Sequence, residues 1–226
     1  MNNNIRKTFI KGIVNIVLFG LWTILVVTCD VQTLGVNGTK IGFATFNMWF
    51  HKITGVNMTL YNITDWLGLV PLFICFCFGL LGLLQLIKRK SLFKVDVDIL
   101  FLGVYYVIVI VGYLIFETIP INYRPILING FMEVSYPSST TLLVLSVLPT
   151  LTFQSQHRVK NIAVRRLIFV FSIMFSVFMV LGRLVSGVHW FTDIVGSCFL
   201  SMGLFNIYKV VVLYGVQRKT TGIKKK

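Results

Sequence analysis

Six stretches of the chain, roughly 9–29, 66–87, 97–117, 137–153, 164–184 and 190–214, are apolar for most of their length, and charged residues gather between them. A helix rises about 1.5 Å per residue, so about 20 apolar residues cover the hydrocarbon of a bilayer. Each stretch is therefore expected to be a membrane-spanning α-helix, since a helix satisfies its own backbone hydrogen bonds in lipid. The expected fold class is all-α: a polytopic bundle of six transmembrane helices, forming a single membrane-embedded domain over residues 1–226. The stretch 30–65 is too polar to span and carries Phe43, Phe46, Trp49 and Phe50. It reads as an external loop or an amphipathic helix at the interface.

Composition agrees with this partition, because 56% of the residues are hydrophobic and only 12% are charged, more apolar surface than one soluble core buries. The formal charge of +14 does not form a stripe for nucleic acid. Instead, alternate loops carry it. Seventeen of the 21 basic residues fall on one side of the expected helices, including Arg6, Lys7, Lys11, Lys88, Arg89, Arg158, Lys160 and the run Lys224–Lys226. The other side holds Lys40, Lys52, Arg124 and Arg183. Cytoplasmic loops retain Lys and Arg, so both termini are expected in the cytoplasm. The N-terminal basic cluster and apolar run could be a secretory signal, but small residues are missing at a cleavage position, and an uncleaved helix is expected. Cys29, Cys75, Cys77 and Cys198 lack a metal-binding spacing, so neither metal nor cofactor is expected.

Arg124 and Arg183 oppose the topology rule, which points to a local function. Three short segments on that same face carry candidate chemistry. In Arg183-Leu184-Val185-Ser186-Gly187-Val188-His189-Trp190-Phe191-Thr192-Asp193, a helix starting near His189 would put His189 and Asp193 on one face. The carboxylate would then orient the imidazole as a nucleophile. Pro137-Ser138-Ser139-Thr140 opens the fourth stretch like a helix N-terminus whose free amides hold an anion. Arg124-Pro125 offers a guanidinium fork for phosphate. Taken singly, each segment is also what an ordinary helix cap or interfacial pair looks like.

Together the segments resemble the phosphatidic acid phosphatase type 2 (PAP2) superfamily, whose pattern is KxxxxxxRP, PSGH and SRxxxxxHxxxD in that order. The resemblance implies a PAP2-type helical core over about 66–214. It implies His189 as the nucleophile that becomes phosphohistidine and Asp193 as its partner. Arg124, Arg183, Ser138, Ser139 and Thr140 occupy the phosphate-binding positions. Three positions depart: Glu117 stands for the family Lys, Ser139-Thr140 for Gly-His, and Gly182 for the Ser before Arg183. Glu117 reverses a charge, and Thr140 replaces the family's general acid. A proton donor is typically worth about 10²–10⁴-fold in rate, so a diphosphate, whose leaving phosphate needs no proton, suits such a site.

The implied function is a membrane-embedded lipid phosphatase or phosphotransferase acting on a lipid phosphate or polyprenyl diphosphate through a phosphohistidine. The alternative is a catalytically impaired relative that binds or moves a phosphorylated lipid. The partners are the lipid substrate and the bilayer, with no nucleic acid. The abundance of Asn, Ile, Lys and Phe would suit an AT-rich bacterial genome, so the expected location is a bacterial plasma membrane with the site on the external face.

Overall fold

The computed structural model describes residues 3–223, with side chains through residue 215. Lys224, Lys225 and Lys226 of the basic count lie outside the described residues, as do the side chains of Arg218 and Lys219. The chain is an all-helical membrane protein with helices α1 (Asn3–Thr28), α2 (Ala44–Thr54), α3 (Met58–Leu67), α4 (Leu69–Arg89), α5 (Val97–Thr118), α6 (Ser139–Arg158), α7 (Ile162–Val185) and α8 (Phe191–Ile223). Five spans among the described residues are long and apolar enough to cross a membrane: α1, the α3–α4 pair, α5, α7 and α8 as far as Gly215.

The apolar stretches read from the sequence fall on α1, α4, α5, α6, α7 and α8. Their outer faces are apolar, with Phe73, Phe76, Leu167 and Met174 each at least 65% exposed. A soluble protein would bury such residues; lipid accepts them. The 30–65 stretch folds into α2 and α3. Asn57 caps α3 by accepting from the Leu60 amide at 2.9 Å, a structural use for an asparagine that also opens an Asn-x-Thr triplet.

Helix α6 sits inside the bundle against α7 and α8, and its buried residues include Thr141, Ser146, Thr150 and Gln154. Small and hydroxylated residues suit a helix surrounded by protein, where they admit close packing and hydrogen-bond across helices. Tyr105 donates to the Ser146 carbonyl at 3.0 Å, and Gln154 donates to the Tyr208 hydroxyl at 2.9 Å. This polarity leaves α6 outside the set of strongly apolar spans, although its 20 residues match the others in length. Where α1 packs on α8, Gly203 lets the helices touch: an added Cβ would lie 2.7 Å from Ile16.

At the end of the bundle opposite the candidate site, Asp96 binds Arg89 at 2.8 Å and Arg158 at 3.2 Å, while Arg158 also holds Asp98 at 2.6 Å. These pairs tie the α4–α5 turn to the end of α6. The other end gathers the C-termini of α1, α5 and α7 and the N-termini of α4, α6 and α8.

Candidate active site

The loop between α7 and α8 carries His189 and is fixed from three directions. Gly187 takes φ +68, and a Cβ there would sit 1.8 Å from the Gly55 carbonyl oxygen, so only glycine lets this loop lie on the α2–α3 connection. The Asn57 amide donates to the Ser186 carbonyl at 2.9 Å, and His51 Nε2 lies 3.0 Å from the Gly187 carbonyl oxygen. On the far side, Trp190 Nε1 donates to the Tyr123 carbonyl at 2.7 Å, linking His189 to the segment that carries Arg124.

Helix α8 begins at Phe191, later than the sequence reading placed it, so His189 precedes the helix instead of sharing a helical face with Asp193. The two side chains still meet, with His189 Nδ1 3.6 Å from Asp193 Oδ2. That gap is longer than a hydrogen bond, because Asp193 Oδ2 turns to cap its own helix by accepting from the Trp190 amide at 2.9 Å. Asn122 and Ser135, both buried, face the same carboxylate. Burial, reinforced by the nearby Arg124 and Arg183 guanidiniums, holds the His189 imidazole well below its usual pKa, so the ring is neutral at physiological pH. Both ring nitrogens are buried without a hydrogen-bond partner.

Arg183 and Arg124 both lie over one ring. The Tyr61 ring of α3 lies 4.9 Å from the Arg183 guanidinium and 5.7 Å from that of Arg124, close enough for its face to attract both cations. Arg183 is 1% exposed; its Nη2 donates to Thr140 Oγ1 at 2.6 Å and to Asp65 Oδ1 at 3.2 Å. Arg124 pairs with Glu133 at 3.1 Å. The carboxylates that pair with these arginines are thus Glu133 and Asp65. Arg124 Nη1 and Arg183 Nε are buried without partners, two donors near His189 that an oxyanion would satisfy.

Helix α6 begins at Ser139, with Pro137 outside the helix and Ser138 as N-cap. The Ser138 hydroxyl donates inward to Thr141 at 3.1 Å and its carbonyl accepts from Ser197 at 2.8 Å. Its carbonyl therefore braces α6 against α8, while its hydroxyl is engaged within the first turn of α6. Because that hydroxyl makes no cap to the first-turn amides, the amides stay available to an anion. Ser139 lines a narrow cleft with His189 and Glu117. It also lines a groove of about 380 Å³ with Asp65 and Thr140.

Two of the departing residues, Gly182 and Thr140, have α3 as a neighbour. Gly182 lies under α3, where an added Cβ would meet Thr64 at 2.6 Å, and Thr140 shares the Arg183 Nη2 with Asp65. Sequence reasoning missed Tyr61, Asp65 and Asn122 because they lie outside the three motif segments or beside them without matching a motif position. The one available signal was the presence of Tyr61 and Asp65 in a loop already read as lying on the same face.

Residues 112–216 match the family model of the PAP2 superfamily. Among solved structures, the chain is similar to the crystal structure of the first transmembrane PAP2 type phosphatidylglycerolphosphate phosphatase from Bacillus subtilis. The TM-score is 0.63 over 92% of this chain and 96% of that one, at 15% identity. The likeness is one of fold. No curated protein sequence matches the chain.

Proposed function

We propose that the protein is a lipid phosphatase or phosphotransferase that acts through a phosphohistidine on His189, taking a lipid phosphate or polyprenyl diphosphate at the outer leaflet. The supporting observation is the neutral, buried His189 beside Asp193, in one cleft with two arginines that retain unpartnered donors. Neutral imidazole is the nucleophilic form. Arg124, Arg183 and the first-turn amides of α6 at Ser139 and Thr140 hold the phosphoryl oxygens, and Asp193 stabilises the ring as it gains charge. The whole chain is read as one membrane-embedded unit in which α6 completes six crossings. Residues 30–65 then lie on the external side, as the distribution of basic residues requires.

The test is phosphate release by the purified protein in detergent from lipid mono- and diphosphates, with acid-labile phosphate on His189 trapped by rapid denaturation. His189→Ala should abolish both signals. Turnover that survives His189→Ala refutes the reading. One observation favours the alternative of binding without hydrolysis: both arginines already engage carboxylates. Lipid phosphate binding by wild type with no turnover of any substrate would establish that alternative.

A further inference from the structure

Attack by His189 breaks a P–O bond, and when the leaving group is a lipid alkoxide, that oxygen needs a proton. The position that supplies a histidine in the family pattern holds Thr140, whose hydroxyl is already bonded to Arg183. Of the other carboxyl groups at this end of the bundle, Asp193 lies behind His189, Glu117 lines the His189 cleft, Glu133 sits on Arg124, and Asp30 accepts from the Thr45 amide. Asp65 differs. It binds the same Arg183 Nη2 as Thr140, is 56% exposed at its side chain, and lines the groove that runs between α4, α5 and α6.

That groove and the His189 cleft share Tyr113, Ser139 and Leu142 as walls. A phosphate at the Ser139 end of α6 would have His189 on one side and Asp65 on the other, as in-line displacement requires. Below Asp65 the groove is apolar, and Leu69, Leu72 and Ile110 are each about half exposed, so it opens on the bundle surface. A lipid leaving there would pass its oxygen beside Asp65.

We propose that Asp65 is the proton donor to the leaving oxygen of a lipid monophosphate, a catalytic role supplied by α3 in place of a motif residue. The proposal rests on the phosphohistidine reading. Phosphate takes over Arg183, which frees the Asp65 carboxyl group to meet the leaving oxygen. His189 attacks phosphorus, the P–O pair moves onto the lipid oxygen, and the Asp65 proton completes the alcohol. Water then attacks the phosphohistidine, Asp65 accepts the water proton, and phosphate leaves with His189 restored.

The test compares dodecyl phosphate with dodecyl diphosphate, substrates with one chain and two leaving groups, in wild type, Asp65→Asn, Asp65→Glu, Glu133→Gln and His189→Ala. Asp65→Asn should lower kcat for the monophosphate about 10²–10⁴-fold and for the diphosphate by less than about tenfold, with Asp65→Glu recovering part of the monophosphate rate. Equal losses on both substrates, or a loss confined to KM, would make Asp65 only a positioning residue for Arg183 and overturn the proposal. It also fails if Asp65→Asn has no effect, if Glu133→Gln shows the discrimination instead, or if wild type cleaves only the diphosphate. Activity in His189→Ala, or none in wild type, refutes the phosphohistidine reading itself, and the role of Asp65 with it.

Discussion

Gly187→Ala tests whether the α2–α3 connection holds the His189 loop in place. Two costs are separable at this residue. The first is the left-handed backbone at φ +68, which costs an alanine about 1 kcal/mol relative to glycine. The second is the approach of the new Cβ to the Gly55 carbonyl oxygen at 1.8 Å, a backbone atom that moves only if the whole connection moves. A shift large enough to restore ordinary contact breaks the bond from the Asn57 amide to Ser186 and the His51 contact with Gly187. At about 1 kcal/mol each, these bring the total to about 3 kcal/mol. Gly130 supplies the control: its φ is +82, and an added Cβ meets nothing within 4 Å, so Gly130→Ala incurs the backbone cost alone. Thermal unfolding in detergent should place Gly187→Ala several degrees below Gly130→Ala, and activity should fall about a hundredfold, as expected when a nucleophile is displaced by about 1 Å. If the two alanine variants unfold together and retain equal activity, the connection does not position His189, and the clamp argument is wrong.

Three further outcomes are expected. Accessibility reporters at Leu60, Gly130 and Ser186 should read as external, and those at Lys90 and Lys160 as cytoplasmic; a cytoplasmic signal at Gly130 would separate Arg124 from the other motif segments. His189 is buried neutral with its pKa lowered, so the unfolded chain binds a proton there that the folded chain does not. Its stability contribution is therefore complete above about pH 6.5 and is lost below it by up to about 1.4 kcal/mol per pH unit, and His189→Gln should flatten the decline of the unfolding temperature between pH 6.5 and 5. Finally, Gly182→Ser puts the family residue under α3, where its Cβ would lie 2.6 Å from Thr64; lower activity with normal membrane insertion is expected, and unchanged activity would show that α3 tolerates displacement.

The helices were legible because lipid imposes a length and an apolar composition that the chain displays directly. Helix α6 was legible as an apolar run with a Pro-Ser-Ser-Thr opening, but that run, 137–153, stopped short of its end at Arg158, since protein surrounds it and its polar residues dilute the apolar signal. Arg124, Arg183, His189 and Asp193 were legible from spacing, and the structure brings all four to one end of the bundle. The register near His189 was not, because the helix start depends on Asp193 capping the Trp190 amide, a choice periodicity does not encode. The ion-pair partners were also hidden: Asp65 lies 118 residues from Arg183 in sequence, and only packing of α3 on α7 joins them.

That packing gives the motif departures a common physical cause. A serine at position 182 would hold α3 off α7, and glycine admits it. With α3 in place, Tyr61 spreads its ring beside both guanidiniums and Asp65 reaches the Arg183 nitrogen that also binds Thr140. A histidine at position 140 would have to share that space with Asp65, whereas threonine is short enough to hydrogen-bond Arg183 beneath it. Charge follows the same logic: Glu117 in place of lysine removes a cation from the cleft, while α3 adds an aromatic face and a carboxylate beside the two arginines that remain. If Asp65 is the donor, as proposed, Thr140→His alone would crowd it without restoring a donor. A gain in monophosphate turnover in Thr140→His that persists in the Thr140→His, Asp65→Asn double variant would show instead that the two positions act independently.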